Sequence, residues 1–132
     1  MKIIVVSQKN SPLVLLIKLV TFSKWNHVAI LDEKAGKIYE NDFGYQEHWA
    51  SQYPHKWKIS KKSHSTLTPA QQKAMIKELE KEPYRIMWNL TVIPIVGKIF
   101  EKFLKPGNCV YFACSVMGLG KSYWTKAPAW FS

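Results

Sequence analysis

The period of apolar positions changes several times along the chain, and each change marks an element. Residues 2–6, KIIVV, form an uninterrupted β-branched run, the pattern of a buried strand. Ser11 and Pro12 then read as an N-cap followed by a first-turn proline, and Leu13, Leu16, Ile17 and Val20 recur at helical spacing up to Phe22. After the polar break SKWN, the stretch HVAILDEKAGKIYEN reads as a β-hairpin: HVAIL, a turn around Glu33–Gly36, then KIYEN. Residues 41–66 mix aromatic and polar positions without a sustained period, with one further strand predicted near KWKIS.

The second half is more helical. In TPAQQKAMIKELEKE, Thr68 is an N-cap, Pro69 the first helical residue and Gln71 the capping-box partner, with Ala70, Ala74, Ile76 and Leu79 predicted to face inward. YRIMWNLTVIPIVGKIFEKFLKPGN predicts one or two apolar helices, broken near Pro94 and ended by Pro106 and Gly107. Asn108 caps a further helix through CVYFACSVMGL, stopped by Gly118 and Gly120, and the C-terminal KSYWTKAPAWFS reads as irregular. A helix, a hairpin, more sheet and then helices make an α+β chain. With 132 residues and no linker or repeat, residues 1–132 are expected to be one domain. A core of that size needs neither disulfides nor metal.

Charge narrows the class of partner. The chain carries 19 Lys and Arg against 9 Asp and Glu, a net +10, and Arg85 is its single arginine. Specific reading of bases or phosphates leans on the bidentate guanidinium fork. A lysine-dominated surface therefore implies general attraction to anions and no specific nucleic-acid recognition. An anionic cell-wall polymer, an acidic substrate or contact with an anionic membrane surface fits this balance. The N-terminal apolar run is too short for a signal peptide, and SPLVLLIKLVTF is interrupted by Lys18 and falls short of the ~20 residues that span a bilayer. A cytoplasmic protein with free thiols is the expectation. His48, His55 and His64 have no ligand spacing and no CxxC accompanies them, so neither a metal site nor a cofactor is implied.

The two cysteines, Cys109 and Cys114, differ in position. Cys109 falls in the first turn of a helix directly after an Asn cap, where the dipole and unpaired backbone N–H groups favour the thiolate. Those N–H groups are also donors for a developing oxyanion. Cys114 lies five residues further on among Ala113, Val116 and Met117, the setting of a core thiol, and is the competing nucleophile. His27 opens the first hairpin strand and Glu40 sits near the end of its partner. A turn at Glu33–Gly36 brings the two close to opposite each other, and a one-residue slip would replace Glu40 by Tyr39 or Asn41. A thiol, an imidazole and a group that fixes the imidazole form the pattern of nucleophilic catalysis.

SKWNHVAIL, then KIYEN, then GNCVYFACSVMGLG resembles the circularly permuted branch of the NlpC/P60 papain-like superfamily, which includes YiiX-like proteins and the lecithin:retinol acyltransferase group. There the histidine strand precedes the cysteine helix. HVAI is similar to that strand, and NCVYF to the Asn-Cys-x-x-Phe pattern of the nucleophile helix. The resemblance implies a small antiparallel sheet packed with helices, the nucleophile helix near the C-terminus, and no cofactor. It implies Cys109 as nucleophile, His27 as general base and Glu40 as its orienting partner, with Asn108, Asn26 and Trp25 lining the oxyanion or substrate side. The implied activity is cysteine peptidase- or amidase-like hydrolysis of an amide or ester, with a cell-wall peptide as one candidate substrate. Acyl transfer or thioester cleavage on lipid or protein acyl groups is the alternative, and a non-catalytic basic binding or inhibitory protein on the same scaffold is a third. Glu40 stands where the acyltransferase group has a second histidine, which favours the amidase side. VYF after Cys109 departs from the CSE type common in YiiX-like members.

Overall fold

In a computed structural model of the chain, residues 1–8, 24–93 and 95–132 are described. The helix expected from Ser11 to Phe22 lies outside them. The β-branched run forms β1 (Lys2–Ser7), and the predicted hairpin forms β2 (His27–Asp32) and β3 (Lys37–Asn41), joined by the turn at residues 33–36. Asp32 makes that turn by accepting the Gly36 N–H on its carbonyl (2.9 Å) and the Ala35 N–H on its carboxylate (3.2 Å). β4 (Tyr45–Trp49) and β5 (Lys56–Ile59) complete a five-stranded antiparallel sheet in the order β4-β3-β2-β1-β5.

β1 lies inside the sheet, between β2 and β5, and is buried on both faces. Ile3 and Val5 point with Val28 and Ile30 into the layer covered by helices, while Ile4 and Val6 join Ala29, Leu31 and Ile38 on the opposite face, beside Tyr53 and Trp57. The helical layer is α1 (Pro69–Leu79), α2 (Gly97–Phe103), α3 (Cys109–Met117) and α4 (Lys121–Trp124), with 3₁₀ turns at Ala50–Gln52, Ile86–Val92 and Pro128–Phe131. α3 packs against β2, β3 and β1 and is buried along almost all of its circumference, as its apolar sequence requires. The chain is α+β: a small antiparallel sheet with helices.

Several expectations need correction. The capping box on Thr68 and Gln71 forms, but Ala70 and Ala74 are exposed, and the inward stripe of α1 is Gln72, Ile76 and Leu79. Stepping back one turn from Ile76 reaches a glutamine, and its burial is made tolerable because its amide donates to Ser65 Oγ at 2.9 Å. Strand β4 was hidden in the mixed segment because it is the sheet edge and has no buried face to impose alternation. Residues 86–92 wind as 3₁₀ turn instead of α-helix: Thr91 Oγ1 donates back to the Trp88 carbonyl at 2.7 Å, tightening the last turn ahead of Pro94. The C-terminal stretch is ordered into α4 and a 3₁₀ turn. Tertiary contacts hold it: Trp88 Nε1 donates to the Trp124 carbonyl (3.1 Å), Ser60 Oγ donates to the Phe131 carbonyl, and the Phe131 ring is fully buried.

Candidate active site

Asn108 begins the site. Its Oδ1 accepts the Tyr111 N–H at 3.0 Å and its carbonyl accepts the Phe112 N–H at 3.0 Å, which starts α3 and places Cys109 in the first turn. The N–H groups of Cys109 and Val110 are the two first-turn donors that this cap leaves unused by the helix. Gly107, just before the cap, is set by space: a Cβ there would meet Arg85 Cγ at 2.8 Å. Arg85 holds this loop from both ends, with its N–H donating to the Gly107 carbonyl (2.6 Å) and Nη1 to the Pro106 carbonyl (3.0 Å).

His27 enters from the first residue of β2, where it pairs with Val6 of β1. The β2–β3 register runs Ile30↔Tyr39, Leu31↔Ile38, Asp32↔Lys37, so its continuation sets Glu40 across from Ala29 rather than from His27. The expected near-opposite placement is therefore displaced by one pair. The period of two preserves the outcome, since His27 and Ala29 share a face and Glu40 reaches the imidazole along the diagonal. His27 Nε2 lies 3.4 Å from Glu40 Oε2, and both side chains are almost fully buried. His27 Nε2 is turned to Glu40, and Cys109 acts on the imidazole together with that carboxylate.

The electrostatics follow from that contact order. Burial by itself disfavours the imidazolium, but the charge and hydrogen bond of Cys109, and then those of Glu40, outweigh it and push the His27 pKa up to about 10. Glu40 goes the other way. Burial acts to raise it, yet His27, the Tyr53 hydroxyl and His48 hold its pKa below the usual carboxylate value. Cys114 is fully buried, and burial followed by the charge of Cys109 pushes its thiol up to about 12. Its Sγ donates to the Tyr123 carbonyl at 3.8 Å. The two cysteines are both free thiols and chemically unlike.

Three neighbours were not singled out by sequence reasoning. Tyr53 Oη donates to Glu40 Oε2 at 2.6 Å, and His48 Nε2 stands 3.6 Å from Glu40 Oε1, so both carboxylate oxygens are engaged. His48 pairs with Ile38 across β3–β4, on the same face as Glu40. A detected β4 would have placed it there. The third is Tyr84, whose pKa is raised by burial and then by the charge on Cys109, which keeps the phenol protonated. Asn108 Nδ2 donates to Asn89 Oδ1 (3.0 Å), and Asn89 Nδ2 donates to Tyr84 Oη (2.9 Å), tying the cap to the phenol.

The remaining predicted lining residues are placed differently. Asn108 is buried with its amide committed to the cap and to Asn89. Asn26 is buried as well: Oδ1 accepts the Gln8 N–H (3.2 Å) and Nδ2 donates to the Lys24 carbonyl (3.1 Å), which fixes the chain entering His27. Trp25 is half-buried against the helical core, with the Lys24 and Lys58 ammonium groups about 5 Å from its ring centre (5.0 and 5.1 Å). Among the described residues no group of three His, Cys, Asp or Glu is arranged to hold a metal ion, and no helix is long and apolar enough to cross a membrane. No protein-family model, no curated protein and no solved structure matches this chain.

Proposed function

We propose that residues 1–132 form a single permuted papain-like domain that cleaves an amide or ester through a Cys109 acyl-enzyme. The observation that carries this reading is the buried His27–Glu40 contact at 3.4 Å, together with Cys109, in the first turn of α3, as the charge that most raises the His27 pKa. A thiolate–imidazolium pair at a helix N-terminus is a prepared nucleophile.

In this mechanism the Cys109 sulfur attacks the carbonyl carbon while His27 carries the proton taken from the thiol. The developing oxyanion is met by the Cys109 and Val110 N–H groups, with the Tyr84 hydroxyl as a third donor on the same side. His27 then protonates the leaving amine or alcohol and leaves the acyl group on sulfur. Water, deprotonated by His27, attacks the thioester and regenerates the thiol. Glu40 keeps Nε2 of His27 occupied, and Tyr53 and His48 hold Glu40 in place. The basic surface favours an anionic substrate or surroundings.

The test is the iodoacetamide alkylation rate against pH, with each modified cysteine identified by mass. Cys109 should react in Cys114→Ala as in wild type, faster at neutral pH than an unactivated thiol, and His27→Ala should remove that advantage by at least about tenfold. An activated ester probe should leave a stoichiometric acyl adduct on Cys109. A Cys109 profile like that of a free thiol and indifferent to His27→Ala would overturn the proposal.

A further inference from the structure

Eight large apolar side chains are exposed among the described residues, and five of them, Met87, Ile95, Val96, Ile99 and Phe103, fall between residues 87 and 103. The extremes are here: Ile95 is 90% exposed and Phe103 80%. Ile95 also holds a φ of 69°, a left-handed conformation that β-branched residues avoid. The chain thus accepts backbone strain at the point where it raises an isoleucine fully into solvent. An apolar tip that cost the fold something and returned no burial is a feature to be explained by what it meets.

The following helix extends that tip into a face. In α2, Ile99 and Phe103 lie one turn apart, and the exposed Val96 and Ile95 precede its first residue as the N-cap and the residue before it. Lys98 and Lys102 are exposed along one flank of this stripe, Lys105 follows it, and the single acid of the segment, Glu101, projects on the far side of the helix. A cleft of about 360 Å³ lined by Tyr84, Met87, Leu104 and Lys105 joins the end of α2 to the 84–92 segment. Tyr84 in turn packs its ring on the exposed Phe43, with centroids 4.8 Å apart. Exposed apolar surface therefore extends from α2 through this cleft to the Phe43–Tyr84 pair.

We infer that this face, formed by Ile95, Val96, Ile99 and Phe103 with Lys98 and Lys102, docks the protein on an anionic lipid bilayer. A short helix with a protruding apolar stripe and a lysine flank has the composition of an interfacial anchor, in which the apolar side chains enter the acyl boundary and the ammonium groups meet anionic headgroups. Charge selects this occupant over a second copy of the chain: a two-fold contact would oppose the same lysines to themselves in a molecule already at +10. The docking surface is independent of the chemistry proposed for Cys109, and its consequence for that site is geometric, since it would bring the Phe43–Tyr84 rim toward the membrane.

The experiment is co-sedimentation of the full chain with vesicles of phosphatidylcholine alone and of phosphatidylcholine with phosphatidylserine, at low and high salt. The wild type should bind the phosphatidylserine vesicles preferentially and lose most of that binding at high salt. Ile95→Ser with Phe103→Ser should weaken partitioning by at least about tenfold, because two large apolar side chains no longer leave water. Lys98→Glu with Lys102→Glu should weaken it to a similar degree on anionic vesicles only. Ile59→Ser, at an exposed apolar position on β5, is the control and should bind as wild type does. All substituted side chains are exposed, so an unchanged melting temperature separates loss of docking from loss of fold. No preference for anionic vesicles, wild-type binding by the Ile95/Phe103 and Lys98/Lys102 variants, or an Ile95- and Phe103-dependent dimer in place of vesicle binding would each overturn the inference. Because the readout is partitioning, failure here leaves the Cys109 alkylation result untouched.

Discussion

Replacing Glu40 by Gln isolates the electrostatic part of the site. The substitution keeps the shape of a side chain that is 1% exposed, and the amide oxygen can still accept the Tyr53 hydroxyl, which donates at 2.6 Å in the wild type. What is lost is the negative charge 3.4 Å from His27 Nε2. Holding the imidazolium from 6.5 up to about 10 corresponds to roughly 5 kcal/mol. Cys109 supplies the larger share, and Glu40 contributes about 2 kcal/mol, the worth of a hydrogen bond between charged partners. That is about thirtyfold in the protonation equilibrium of His27, or a displacement of about 1–2 pH units. His27 is protonated below its raised pKa, so the wild-type imidazolium persists from neutral pH up toward about 10. In Glu40→Gln the imidazolium is held less firmly, and the acid limb of the alkylation profile should move upward. The assay is iodoacetamide trapping in a Cys114→Ala background, with folding checked by circular dichroism. Superimposable profiles with and without the Glu40→Gln substitution, both proteins being well folded, would refute the reasoning.

Stability should also depend on pH. The folded pKa of His27 lies above its unfolded value, so its contribution is complete below about 6.5 and is lost as pH rises toward about 10. Urea midpoints should fall across that interval, less steeply in His27→Gln; equal slopes would exclude His27 as the source. Glu40, with its pKa depressed, contributes above the ordinary carboxylate range and loses that contribution as the solution is acidified. Gly118→Ala should destabilise the fold by roughly 2–4 kcal/mol, measured by chemical denaturation. Its φ of +72° is left-handed, and a Cβ would sit 2.2 Å from Thr66 Oγ1 and 2.7 Å from Leu67 Cγ.

The elements legible without a structure are those whose instructions are local. The Asn108 cap, the Thr68–Gln71 capping box, the Gly118 stop and the turn at residues 33–36 are each written within a few residues, because a cap or a turn satisfies its own backbone groups. The candidate site was legible to the same extent. Cys109 is marked by its place in the first turn, and the pairing of His27 with Glu40 survived a displaced register because same-face neighbours recur every second residue. Where burial depends on distant partners, the sequence is silent. Gln72 lies inward because Ser65 meets its amide, and the C-terminal turns are held by Ser60 and Trp88. His48 and Tyr53 reach Glu40 only because an edge strand with no alternation of its own pairs with β3. Tertiary structure alone decides that the carboxylate is buried beside His27, Tyr53 and His48, and that Cys114 is sealed in the core against a carbonyl while Cys109 stays in the first turn of α3.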